Sequence, residues 1–254
     1  MSNILAIAQK ELRAYFASPI AYVVIGFFAI LYGYFYAVML SFFLQTSLRM
    51  GQMGGPQAAN VNEMMIRPLM QNVLILILFI MPMVTMRTYA EEKRAGTIEL
   101  LLTSPISDWQ IVLGKFLGAM TLYFIALAVT LVHMVILFFY GTPEWKPIAT
   151  AYLGLFLFGG CFISVGMFIS SLTKNQIIAG MATFGVFLFL WVINWIGSFY
   201  PSTERLTNYL SVVQHADDFW KGVIDTTHLI YYVSFMAFGL FLTAKSVDTE
   251  RWRG

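Results

Sequence analysis

His215, Asp217 and Asp218 form the one grouping in this sequence whose types and spacing suit acid–base or metal chemistry. An imidazole and two carboxylates so close together can share a proton or hold a cation weakly. They can equally form a solvated helix face, or cap and orient a helix, and the residue types alone do not separate these roles. His133 lies inside a long apolar run, where ionisable groups are rare and often functional. No carboxylate occurs within the apolar runs to relay a proton to it, so the simpler expectation is a neutral imidazole hydrogen-bonded to an adjacent helix. Asn194, in a later apolar run, is a candidate partner for it or a contact for a substrate. The single cysteine, Cys161, cannot form an intrachain disulfide and has no cysteine or histidine at zinc spacing, so the redox compartment is not readable. The sequence has no phosphate loop of the form G-x-x-x-x-G-K-S/T, no H-E-x-x-H and no G-x-S-x-G. If the chain does ATP-driven work, the nucleotide must therefore be bound by a partner.

These residues are set in a chain that is 59% hydrophobic and 11% charged, against roughly 25% charged in soluble domains. That composition is a membrane protein's. A formal charge of +2, carried by dispersed basic residues, gives no footprint for nucleic acid. A spanning helix needs about 20 mostly apolar residues, and six segments meet or approach that length: 20–44, 68–86, 111–139, 149–172, 177–199 and 228–244. Pro82 is expected to kink the second. The first residues read as an interfacial helix, 1–19, with Ile4, Leu5, Ala8, Leu12, Tyr15 and Phe16 on one face, not as a cleaved leader. With both termini inside, ten of the fifteen Lys and Arg residues fall on the inner side, which orients the protein by the positive-inside rule.

Two outer connections are long. Residues 45–67, with Gly51, Gly54, Gly55 and Pro56, are expected to be a mobile loop, and 200–227 one or two outer-leaflet helices carrying Leu206, Leu210, Val213, Phe219, Trp220 and Val223 at near-helical spacing. In the fourth span Gly160 with Ser164, and Gly166 with Ser170, are small residues four apart that let helices approach closely.

The one long polar stretch between spans is 87–115, several times longer than the about 2–8 residues a bare helix connection needs. Ile98, Leu101 and Leu102 fall on one helical face with Glu99 off it; Ser104 and Pro105 stop that helix; Ser107 with Gln110 reads as a capping box that starts the next. The pattern is a lying amphipathic helix that covers something. The order Glu91, Glu92, Lys93, Gly96, Thr97, Glu99, Leu101, Pro105, Gly114 and Lys115 resembles the first cytoplasmic loop of ABC-2-type transporter permeases, especially the gliding-motility-type branch. The words Leu210-Ser211, His215, Phe219 and Lys221 to Asp225 are similar to that branch as well.

The resemblance implies an all-α membrane protein, 1–254 as one transmembrane domain, in the bacterial cytoplasmic membrane. It implies a second permease chain, identical or related, and a separate ATPase subunit that binds ATP and Mg²⁺, with room for an auxiliary periplasmic or membrane subunit. It makes Glu91, Glu92, Gly96, Thr97, Ile98, Glu99, Leu101, Leu102, Pro105 and Lys115 the residues that couple to the ATPase, and spans one, two and five the walls of an export path. Two other classes stay open: a membrane-embedded enzyme acting on lipid-linked substrates through His215, Asp217 and Asp218, and a secondary transporter or channel.

Overall fold

The computed structural model describes residues 2–52, 60–199 and 204–251, leaving aside the side chains of Ser2, Leu101, Leu102, Asn194 and residues 197–199. Every regular element among these residues is helical. α1 (Ser2–Ala17) precedes α2 (Ile20–Gln52); a π-helical turn (Asn62–Ile66) leads into α3 (Arg67–Thr85). Two short helices, α4 (Ala90–Ala95) and α5 (Ile98–Leu102), form the hairpin before α6 (Asp108–Tyr140). α7 (Trp145–Ser171) and α8 (Gln176–Phe199) follow, then α9 (Glu204–Leu210), a 3₁₀ turn (Gln214–Ala216), α10 (Asp217–Trp220) and α11 (Thr226–Arg251). Six helical segments are long and apolar enough to cross a membrane, led by α2, α3, α6, α7, α8 and α11.

α7 is the hub, and its small residues explain why. A Cβ on Gly159 would overlap the Tyr123 ring of α6, one on Gly166 would overlap Thr85 of α3, and one on Gly154 would lie 2.9 Å from Phe219 Cβ of α10. A Cβ on Gly239 of α11 would likewise lie 2.7 Å from Ser164 Oγ. The small residues of this span therefore set four helix contacts, as their spacing predicts. By contrast, α2 and α8 expose many apolar side chains, Tyr22, Phe27, Ile30, Ile177 and Met181 among them, the pattern of helices that face lipid or another chain.

Several expected boundaries move. The 45–67 connection is not all loop: α2 continues to Gln52 and helix resumes at Asn62, while 53–59 lie outside the described residues. α2 and α6 have 33 residues each, about 50 Å at 1.5 Å per residue, well beyond a roughly 30 Å hydrocarbon core. α11 is longer than 228–244 and runs on to Arg251. α3 continues through Pro82, with the Met86 amide donating to the Pro82 carbonyl. The outer segment does fold as short helices, and the expected face is inward in part: Phe219 and Trp220 are buried and Val213 packs on the core, joined by Thr207, Val212, His215 and Ala216, whereas Leu206, Leu210 and Val223 are exposed.

Candidate functional site: the hairpin and its buried lysine

The hairpin hangs on a charge buried where three helices meet. Lys115, in the first turns of α6, is 1% exposed. Its ammonium donates to Glu11 Oε1 of α1 at 2.8 Å and to the Thr88 carbonyl at 2.8 Å, and pairs with Glu92 Oε1 of α4 at 3.0 Å. Three donors thus meet three acceptors, which is what a cation needs to be held away from water. Lys10 adds a second cation, 3.3 Å from Glu92 and 3.9 Å from Glu11, so two carboxylates face two ammonium groups. Tyr89 lies beneath, its ring centroid 5.1 Å from the Lys115 nitrogen.

Glu11 reaches this point because α1 rides directly on α6. A Cβ on Gly114 would lie 2.6 Å from Ile7 Cβ, and one on Gly118 would lie 2.8 Å from Glu11 Cβ, so only glycine at both positions admits the helix. The seat is a G-x-x-x-G step with Lys115 next to its first glycine. The seat covers most of the face expected from the sequence, with Tyr15 buried and Leu12 and Phe16 packed against the core, but it adds Ile7 and leaves Leu5 64% exposed. The Tyr15 hydroxyl donates to the Val84 carbonyl at 3.1 Å, and burial, with Glu11 nearby, pushes that phenol upward so that it remains a donor.

α4 has no N-cap of its own. Ser170 of α7 supplies it, its Oγ accepting from the amides of Tyr89 (3.1 Å) and Ala90 (3.0 Å) while donating to the Met86 carbonyl (3.0 Å). The helix ends at Gly96, φ +70°, the left-handed position that favours glycine. Arg87 clamps Glu91 bidentately at 2.7 and 2.8 Å. The predicted capping box of α6 is present, with Gln110 N 3.4 Å from Ser107 Oγ and Ser107 N 3.3 Å from Gln110 Oε1. From the other end of the chain, Glu250 of α11 pairs with Lys93, and Arg251 pairs with Asp108 at 2.8 Å. The hairpin is thus tied to α1, α6, α7 and α11.

This arrangement corrects the roles given to several residues. Lys115 and Glu92 are interior ties and do not form an exposed docking face. Ile98 is buried, at 8% exposed, and packs into this chain's own core. Leu101 and Leu102 lie in α5 with their side chains outside the described residues. Among the described residues of the hairpin, Leu100 offers an apolar side chain outward, at 74% exposed, beside the exposed residues Gly96, Thr97 and Glu99. Between α1 and the hairpin runs a groove of ≈ 460 Å³ lined by Ala6, Ile7, Lys10, Glu92, Leu100 and Ile106. Pro105 follows α5, where the chain turns back toward α6.

Of the two polar residues predicted within spans, only the His133 side chain is among the described residues. His133 lies between the rings of Tyr32 and Tyr36 of α2, centroids 5.2 and 5.1 Å away, and its Nδ1 has no hydrogen-bond partner among the described residues. Two aromatic rings of α2 thus flank the imidazole. The Asn194 side chain lies outside the described residues. At the far end, Asp217 is 3.1 Å from Arg67 and 2.8 Å from Lys221, and Asp218 is 2.9 Å from Lys221. Both carboxylates are engaged in ion pairs that fasten α10 to the start of α3 and to its own following turn.

The structure is thus a helical membrane domain with a polar hairpin locked against α1, α6, α7 and α11. The family model for ABC-2 family transporter proteins matches residues 5–219. The chain belongs to this family. It is also 26% identical over 146 residues to the "Probable multidrug ABC transporter permease YbhR" of Escherichia coli strain K12, and equally to the protein of that name from E. coli O157:H7. Each match covers 55% of this chain and 38% of the relative, so this ABC-2 chain aligns with well under half of those permeases' length.

Proposed function

We propose that this ABC-2 permease is the membrane subunit of an exporter powered by a separate ATPase, with the hairpin as the surface on which that ATPase acts. The observation that carries this reading is the pairing of an exposed apolar tip, Leu100, with a rigid mounting of buried ions, Lys115 with Glu11 and Glu92. A tip held only by a flexible loop would yield under load. This one moves only with α1, α4 and the start of α6, so displacement of α5 is delivered to spans. ATP and Mg²⁺ belong to the ATPase in this scheme, since the present sequence has no phosphate loop.

In this scheme the protein works as two permease chains, identical or related, in the bacterial cytoplasmic membrane, with both termini and the hairpin cytoplasmic. An apolar groove of ≈ 430 Å³ between α3 and α8, lined by Phe79, Pro82, Met83, Met86, Met181 and Phe184, supports a hydrophobic cargo path along spans two and five. Its methionines adapt to varied apolar shapes. The words shared with gliding-motility-type permeases favour that branch. The deciding experiment is Leu100→Asp, assayed by co-purification with the ATPase in detergent. An apolar anchor buried by a partner is worth about 1–3 kcal/mol, roughly a 5- to 150-fold loss of affinity, while the permease itself should melt unchanged. Undiminished co-purification and coupled ATP hydrolysis would sink the docking role.

A further inference from the structure

The transport reading leaves one side-chain cluster at the far end unused. His215, in the 3₁₀ turn, and His228, at the start of α11, meet Nδ1 to Nδ1 at 2.7 Å. His215 Nε2 lies 3.0 Å from the Tyr209 carbonyl, which can only accept, so that nitrogen carries a hydrogen. His228 Nε2 lies 3.0 Å from Asp218 Oδ2. Asp218 is held below the ordinary carboxylate range by hydrogen bonds from Lys221 and His228, so it too can only accept. Both outer nitrogens are therefore protonated, and the two inner nitrogens need one further hydrogen between them to make their bond. Two neutral imidazoles carry one hydrogen fewer than this arrangement requires. The geometry holds one imidazole and one imidazolium.

We propose that His215 and His228 form a binding site for a single proton, which clasps the outer segment to the sixth span. The surroundings support one charge and no more. Around the pair stand Asp217 and Asp218 of α10, Asp225 before α11, Lys221 after α10 and Arg67 of α3, so the imidazolium balances the third carboxylate. α9 contributes Tyr209, α11 the phenols of Tyr231 and Tyr232, and α7 the Cys161 thiol, which donates to the Tyr232 carbonyl. The Tyr231 ring stacks on His215 at 3.8 Å between centroids and excludes water from one face of the pair. A second proton is resisted because burial, and then the charge on His228, hold His215 below histidine's usual range.

The clasp is consequently closed in a pH window and loosens on both sides of it. With rising pH the shared proton leaves, and two lone pairs face each other across the shortest contact. With falling pH the unfolded chain takes up two protons near histidine's ordinary value of about 6.5, whereas the fold keeps one, so stability declines on the acid side as well. The two rings gain and lose the shared proton as a unit.

The test is histidine-ring ¹⁵N NMR of the full chain in micelles, with His133→Gln to leave only the pair. At pH 7 the expected result is three hydrogens over four ring nitrogens, with both rings responding to one common alkaline step that moves to lower pH in Asp218→Asn. Two neutral rings at pH 7, or two independent ordinary titrations, would overturn the proposal. The thermal midpoint against pH gives a second reading. Wild type should fall on the alkaline side, and His215→Gln with His228→Gln should lose that fall; an alkaline fall that persists in the double variant counts against the site.

Discussion

Replacing Lys115 by Met keeps the length of the side chain and removes the charge that joins α1, α4 and α6. Glu11 and Glu92, 12% and 16% exposed, would then face each other with only Lys10, itself 61% exposed, to compensate them. The Thr88 carbonyl would also lose its donor. Breaking a buried ion pair from one side costs about 3–5 kcal/mol, because the stranded charge stays desolvated. At roughly 2–4 °C per kcal/mol for a chain of this size, the melting midpoint in detergent should drop by about 10 °C. The triple variant Lys115→Met, Glu11→Gln, Glu92→Gln strands no charge and should recover much of that loss. If Lys115→Met melts within about 1 °C of wild type, the lysine is not the tie described. If the triple variant is worse than the single one, the loss comes from packing and the electrostatic account fails.

Three further outcomes follow from the same geometry. Gly118→Leu has no room beside Glu11 and should unseat α1, read as faster protease cleavage after α1 with the six spans still inserted. Ser170→Ala strands the Tyr89 and Ala90 amides and should cost about 1–2 kcal/mol, measured as faster amide exchange confined to α4. The Asp217 carboxyl is partly buried, which works against ionisation, but hydrogen bonds from Lys221 and Arg67 win and hold it below its usual value. Its stabilisation is therefore complete above pH about 4 and lost as pH falls through the lowered value, so Asp217→Asn should flatten the acid limb of the melting curve and leave ATP hydrolysis by the proposed ATPase subunit intact.

The spans were legible because lipid imposes length and composition on a helix, and so was the capping box at Ser107, because its two halves are three residues apart. The tight packing around Gly166 was readable from small residues at helical spacing. What escaped was set at long range. α4 carries no local start signal, since its cap arrives from Ser170, 80 positions away. The face of α1 was legible at Leu12, Tyr15 and Phe16 but shifts in its first turns because its seat is another helix and not lipid alone; that seat buries Ile7 and leaves Leu5 outside. One clue was present: Gly114 and Gly118 form a small-residue step, and a lysine inside such a step must find an anion on whatever packs there. Glu92 read as a docking charge because nothing local distinguishes a carboxylate that will meet Lys115 from one that stays in solvent.

Glu11 and Lys115 are 104 positions apart, and that distance is also an interval of time. At about 5–20 residues per second, α1 emerges some 5–20 s before its glycine seat exists. Through that interval its apolar side chains have only the bilayer surface to cover them, and Glu11 waits without its cation. Glu92 waits too, though more briefly, on a hairpin not yet fastened. Synthesis of one short stretch, residues 114–118, ends both waits at once: the seat and the cation arrive on the same helical turn. α1 thus docks only once α6 has begun to form, and it docks together with Glu92 of the hairpin.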